Sequence, residues 1–215
     1  TPIRRQRQMC IRDSHDSVLL AIYLGVVTVS NRFKEGLARG KLSEESVQVE
    51  PISFKSAQST FEAVRGPKAK ALLGLADDWR VQFDVSYGAQ KKNQPFPSEI
   101  LVTSKYRPDG VIWSVSNKIV IWIELTSPWE ERLGRSNTHK LKRYNQLKID
   151  CEAKGWKAHS LAVEVGCRGY VAESFHYMCK TLGFSKSEIR DLKYACERTV
   201  MHCSHVIYQH RYDTC

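Results

Sequence analysis

The chain has 215 residues, with 33 Lys and Arg against 23 Asp and Glu, and a formal net charge of +10. Its 42% apolar content excludes a wholly disordered or collagen-like chain and suffices for one domain with a real core. A basic excess of this size points first to a polyanionic partner, most commonly nucleic acid.

The apolar runs, Val18–Val27 among them, fall short of the about 20 residues that span a bilayer, and no charged-then-apolar leader opens the chain. No membrane partner is therefore expected. The first residue is Thr1, so the sequence reads as a piece of a longer polypeptide. Seven cysteines without a C-x-x-C pair read as reduced thiols, which fits an intracellular setting.

Along the chain, residues 1–13 are basic and aperiodic and read as a linker or edge. Ser14 is a candidate cap for a helix in which Leu19, Ile22, Tyr23 and Val26 recur at helical spacing. Val47, Val49, Ile52 and Phe54 suggest a strand pair interrupted at Pro51, and 67–75 a short helix. Trp79, Val81, Phe83 and Val85 alternate with polar residues, as in a half-buried strand. A polar loop follows over 88–97, then a short strand is expected over 100–103.

Two β-branched and aromatic runs, 111–113 and 119–123, flank a polar turn and read as a hairpin covered on both faces. A helix over about 137–154, a strand over 156–165 and a helix over 170–182 come next. Ser185 and Glu188 form a capping box for a last helix with Ile189, Leu192, Cys196, Val200 and Cys203 on one stripe. The order predicts a mixed α/β (α+β) layer fold, one central sheet with helices packed on it. The expected division is 1–13 as an edge, 14–183 as the main domain and 184–215 as a helical extension.

The site stands in the hairpin. Arg107-Pro108-Asp109 precedes its first strand, and Glu124-Leu125-Thr126 closes its second after an apolar run. In an antiparallel pair the start of one strand lies beside the end of the other, so the two carboxylates meet. Two carboxylates this close repel, and a hard divalent cation neutralises them; such an ion is the minimal equipment for hydrolysing a phosphodiester. The alternative is that Asp109 caps a turn and Glu124 pairs with a nearby cation.

With 14 residues between its acids, this run resembles the core motif of the PD-(D/E)XK nuclease superfamily. More narrowly, it is similar to the restriction-like endonuclease domains of non-LTR retrotransposons, found with reverse transcriptases. The stretches 14–19, 77–82, 123–126, 128–131 and 163–169 strengthen the likeness, which covers roughly residues 14–183. It implies a restriction-endonuclease-like αβββαβ core and a Mg²⁺- or Mn²⁺-dependent DNA endonuclease that nicks target DNA for the element's integration. It also implies nuclear localisation, with the element's RNA as a second candidate partner.

Under that resemblance Asp109, Glu124 and the Leu125 carbonyl would hold the metal, with Asp16 or Asp84 as an alternative further acid. The superfamily expects Lys two residues after the second acid, and Thr126 stands there instead. Lys140 is the candidate replacement, because with Tyr144, Leu147 and Cys151 it follows the spacing of one helix face. Arg107, Arg143, Lys142, Arg168, Lys91 and Lys92 are the expected nucleic-acid contacts. The Cys and His residues near the C-terminus fit no zinc template. The competing functions are a nuclease fold with a decayed site that only binds nucleic acid, and a protein-interaction domain with incidental charge.

Overall fold

The computed structural model describes residues 2–38, 46–48, 68–127 and 142–209. It is a mixed α/β fold in which a four-stranded mixed sheet is flanked by helices. Helix α1 spans Pro2–Ala38. Strands β1 (Ser46–Gln48) and β2 (Lys68–Lys70) form a separate antiparallel pair, followed by a 3₁₀ turn over Leu72–Leu75. The main sheet contains β3 (Arg80–Phe83), β4 (Gly110–Ser114), β5 (Ile119–Thr126) and β6 (Lys157–Glu164), in that spatial order. Helix α2 (Asn145–Ala153) lies on the connection from β5 to β6, and α3 (Glu173–Leu182) and α4 (Lys186–Gln209) close the chain.

Strands β3, β4 and β5 are antiparallel, whereas β5 and β6 run parallel and require the crossover that carries α2. The sequence of helix, three strands, helix and strand is the order expected above. Residues alternate across β5. Ile119, Ile121, Ile123 and Leu125 join the core shared with α1, α3 and α4, and Val120 and Trp122 join Tyr144, Leu147 and Cys151 on the opposite face. Covering both faces explains why this strand reads as a continuous apolar run.

Several expectations are corrected. Helix α1 does not begin at a Ser14 cap. It starts at Pro2, a residue suited to the first helical position, and runs through an Arg-, Gln- and Met-containing stretch of strong helix formers with no Gly or Pro to stop it. Residues 2–13 are thus helical backbone. By length and composition Ser14–Ala38 is also sufficient to cross a membrane, which counting unbroken apolar runs had missed. In the fold its stripe of Val18, Leu19, Ile22, Val26, Val29 and Phe33 is buried in the core. Strand β1 pairs with β2, inside the expected helix 67–75; of that helix only the 3₁₀ turn forms. Val49, Ile52 and Phe54 lie outside the described residues. Residues 100–103 form no strand. Ile100 and Leu101 turn back on the Pro97 carbonyl, at 3.0 and 3.2 Å, and Val102 faces solvent.

The C-terminal signals form as expected. Helix α3 ends at Gly183, which adopts φ +98°, a conformation that glycine takes without a side-chain penalty. The capping box makes both bonds: the Ser185 N–H donates to Glu188 at 2.7 Å, and the Glu188 N–H donates to the Ser185 hydroxyl at 3.3 Å. Arg32 of α1 donates to both Glu188 oxygens, at 3.1 and 3.3 Å, and to the Gly183 carbonyl at 2.6 Å. Leu192, Cys196 and Val200 of α4 are buried in the same core as α1.

Candidate active site

The sheet's pairing fixes where the two acids stand. Gly110 opposes Phe83 on one side and Ile123 on the other. Asp109, one residue before β4, therefore lies beside the end of β5 that carries Glu124. The close approach depends on Gly110: a Cβ there would sit 2.6 Å from the Phe83 ring. The Asp84 N–H donates to the Asp109 carbonyl at 2.8 Å, and the Leu125 N–H donates to Asp109 Oδ2 at 2.8 Å. Backbone groups of both neighbouring strand ends thus hold Asp109.

Glu124 is only 4% exposed. It points to the face covered by α2, where it shares the hydroxyl of Tyr144. That hydroxyl also stands 3.3 Å from the Arg107 carbonyl. It has one proton and two acceptors, of which the carboxylate is the stronger. Burial, then the charge and hydrogen bond of Glu124, push the Tyr144 pKa far above the usual phenol range. Tyr144 is therefore a fixed proton donor beside Glu124.

A third side chain reaches this end of the sheet from α1. His15 Nε2 stands 3.4 Å from the Leu125 carbonyl and 3.6 Å from Asp109 Oδ2, and its Nδ1 stands 3.6 Å from Asp16 Oδ1. Burial pulls the His15 pKa down. The hydrogen bond and charge of Asp109, the Leu125 carbonyl and the charge of Asp16 outweigh it and leave the pKa raised above 6.5. The sequence reading chose Asp16 and passed over His15. The missed signal is positional: His15, Val18, Leu19 and Ile22 follow i, i+3, i+4, i+7, so His15 continues the buried stripe.

The remaining expected residues are spread around this centre. Asp16 accepts an ion pair from Lys92, and Asp84 Oδ1 accepts the Asn93 N–H at 2.5 Å. Both acids therefore already serve other contacts. Thr126 ends β5 and pairs in register with Glu164, a fully buried acid that accepts a hydrogen bond from Ser174 at 2.5 Å. Arg107, Lys142 and Arg143 are exposed near the acids, with Arg143 stacked 5.5 Å from the Tyr144 ring centre. Lys91 is exposed in the 84–93 loop, and Arg168 is exposed beyond β6. Lys140 lies outside the described residues, as do the 137–141 part of the expected helix and the stretch 128–131.

Whether these residues suit a divalent cation can be tested on donor chemistry and spacing. Among the described residues no three His, Cys, Asp or Glu side chains converge into one cluster. The converging atoms are His15 Nε2, Asp109 Oδ2 and the Leu125 carbonyl, with Glu124 on the same strand end. Two ligands each about 2.1 Å from one ion stand about 3.0–3.4 Å apart. The observed 3.4 and 3.6 Å are close to that range. Carboxylate, carbonyl and imidazole donors suit Mg²⁺, Mn²⁺ or a similar ion. By kind of donor the residues fit such an ion.

No family model matches the chain, and no curated protein does. Among solved structures, it is similar to an N-terminal domain of a reptarenavirus L protein, at 15% identity and a TM-score of 0.28. That match covers 49% of this chain and spans 60% of the other.

Proposed function

We propose that this domain is a divalent-metal-dependent endonuclease hydrolysing phosphodiester bonds of DNA. The observation that carries the reading is the convergence of Asp109, His15 Nε2 and the Leu125 carbonyl at the strand end that also bears Glu124. Asp109, Glu124, the Leu125 carbonyl and His15 would hold the ion. When bound, such an ion stabilises charge on the phosphoryl oxygens and lowers the pKa of a water nucleophile.

The chain's own groups do the positioning. The Leu125 N–H fixes Asp109 Oδ2, the oxygen that also faces His15 Nε2, and so orients the carboxylate toward the proposed ion. The Tyr144 hydroxyl orients Glu124. The burial of Glu124 lowers the local dielectric and strengthens its interaction with a cation. Lys140 is proposed as the group that stabilises charge on the attacked phosphate. Within this reading the family resemblance adds a narrower role, a nick that leaves a 3′-hydroxyl to prime reverse transcription of a retroelement.

The test is incubation with supercoiled plasmid and Mg²⁺ or Mn²⁺. Nicking should appear with metal, stop with chelator, and fall at least about a hundredfold in Asp109→Ala and Glu124→Ala. Lys140→Ala should lower the rate without abolishing metal binding. Absence of nicking, or nicking that survives both acid substitutions, rejects the proposal.

A further inference from the structure

Beside the acids lies a cleft of about 220 Å³, lined by the ends of β3 and of the 91–108 connection and by Arg143. Three cations meet there, Lys105, Arg107 and Arg143, against a single carboxylate, Asp84. One oxygen of Asp84, Oδ1, accepts the Asn93 N–H. Among the described residues none of the three cations is paired with a carboxylate. Two of them are held on aromatic rings instead. Lys105 Nζ stands 5.4 Å from the centre of the Tyr106 ring, and the Arg143 guanidinium 5.5 Å from that of Tyr144. The two rings pack on each other at 5.8 Å. Cation–π contact and ring packing restrict both side chains, so less order must be imposed when an anion binds.

The cleft is joined to the acids by the chain itself. Arg107 and Pro108 immediately precede Asp109, and Arg143 precedes Tyr144, whose hydroxyl serves Glu124. We propose that Lys105, Arg107 and Arg143 form a phosphate subsite that grips the substrate strand one or more nucleotides from the scissile bond, on the β3 side of the acid pair. The proposal deepens the endonuclease reading and rests on it for the identity of the strand. The ligand chemistry is a phosphodiester, which DNA and RNA share. Lys105 is a contact the sequence reading did not select.

The experiment is fluorescence anisotropy with labelled 20-residue strands and duplexes of DNA and of RNA in EDTA, so that binding is read without hydrolysis. The three cleft cations are replaced together by Gln. A control replaces Lys186, Arg190 and Arg198, exposed cations of α4, by Gln, removing equal charge. All six side chains are exposed, and thermal unfolding verifies that both variants fold.

The cleft variant should bind on the order of tenfold more weakly, and its plot of log affinity against log salt should flatten by about 0.7–0.9, the value of one phosphate. The control should keep the wild-type slope. The arm that binds more tightly, DNA or RNA, identifies the strand. Equal losses in both variants, unchanged binding in the cleft variant, absence of binding, or stronger competition from polyglutamate than from nucleic acid each overturn the subsite. Failure of the endonuclease reading looks different: the subsite binds strands as described while wild-type protein with Mg²⁺ or Mn²⁺ cuts nothing.

Discussion

Replacing Gly110 by Ala should destabilise the fold and disturb Asp109 at once. The added Cβ would lie 2.6 and 2.7 Å from two Phe83 ring atoms and 3.0 Å from a third. Phe83 cannot swing away freely, because it is 1% exposed and its ring packs 5.5 Å from that of Tyr23. Overpacking of this kind costs about 1–3 kcal/mol. Replacing Gly by Ala recovers about 0.4–1 kcal/mol through the unfolded chain, since Gly110 has no positive φ. The midpoints of these ranges leave a net loss of about 1.3 kcal/mol, or a drop of about 0.6 M in the urea midpoint for a slope near 2 kcal/mol/M. The clash is specific, so Phe83→Leu should cost about 1 kcal/mol less in the Gly110→Ala background than in the wild type. A urea midpoint at or above wild type in Gly110→Ala, or strictly additive effects in the double variant, would refute the packing argument. Nicking by the folded single variant should also fall, because the strained residue adjoins Asp109.

Two other predictions concern hydrogen bonds. Asp78 accepts bonds from the Ser114 and Ser116 hydroxyls and from the Val115 and Ser116 N–H groups, pinning the β4–β5 turn. Slight burial pushes its pKa up, but those bonds outweigh it and hold it down at about 2. A lowered pKa gives stability that is present above the unfolded value of 3.8 and lost as pH falls toward 2. The thermal midpoint of Asp78→Asn should thus lie below wild type at pH 5, and the gap should close between pH 4 and 2; a constant gap would discount the carboxylate. Tyr144→Phe keeps the ring stack but removes the donor to Glu124, so Mn²⁺ affinity by calorimetry should fall about tenfold or more with little change in unfolding temperature. Unchanged affinity would show that Glu124 needs no such support.

The hairpin was legible because its information is local. Two buried runs and a polar turn set the register, and that register puts Asp109 at the level of Glu124 without any long-range knowledge. The capping box at Ser185 and the stop at Gly183 were legible for the same reason, since caps are chemistry between near neighbours. The beginning of α1 was not. A good cap at Ser14 is a permissive signal, and the helix-forming residues before it decide the matter. Pairing of β1 with β2 was illegible because it joins segments 20 residues apart whose partners local patterning does not name. His15 and Tyr144 were missed as site residues because each was read only for its place in a helix. Their roles arise from tertiary contacts: His15 meets a residue 110 positions away, and the Tyr144 hydroxyl meets Glu124 across the sheet face.

The electrostatics of this sheet end separate its acids by purpose. Asp16 faces Lys92, Asp84 caps a loop N–H, and Glu164 takes the Ser174 hydroxyl. Each of these contacts pairs the acid within the fold. Asp109 and Glu124 are held by a backbone N–H and a phenol, which orient a carboxylate without neutralising it. His15 stands 3.6 Å from Asp109, and although burial lowers its affinity for a proton, Asp109 chiefly raises it. The raised proton affinity of this half-buried imidazole follows from the negative charge of Asp109 and Asp16 beside it. At His15 the nearby carboxylates thus act against the +10 charge of the chain. Under the proposed reading, the cleft cations Lys105, Arg107 and Arg143 attract a polyanion while the acids at the strand end take a cation. A site that binds an anionic backbone around a centre of negative potential needs a mobile positive charge to join the two, and this is the physical ground for reading the pair as a metal-dependent phosphodiester site.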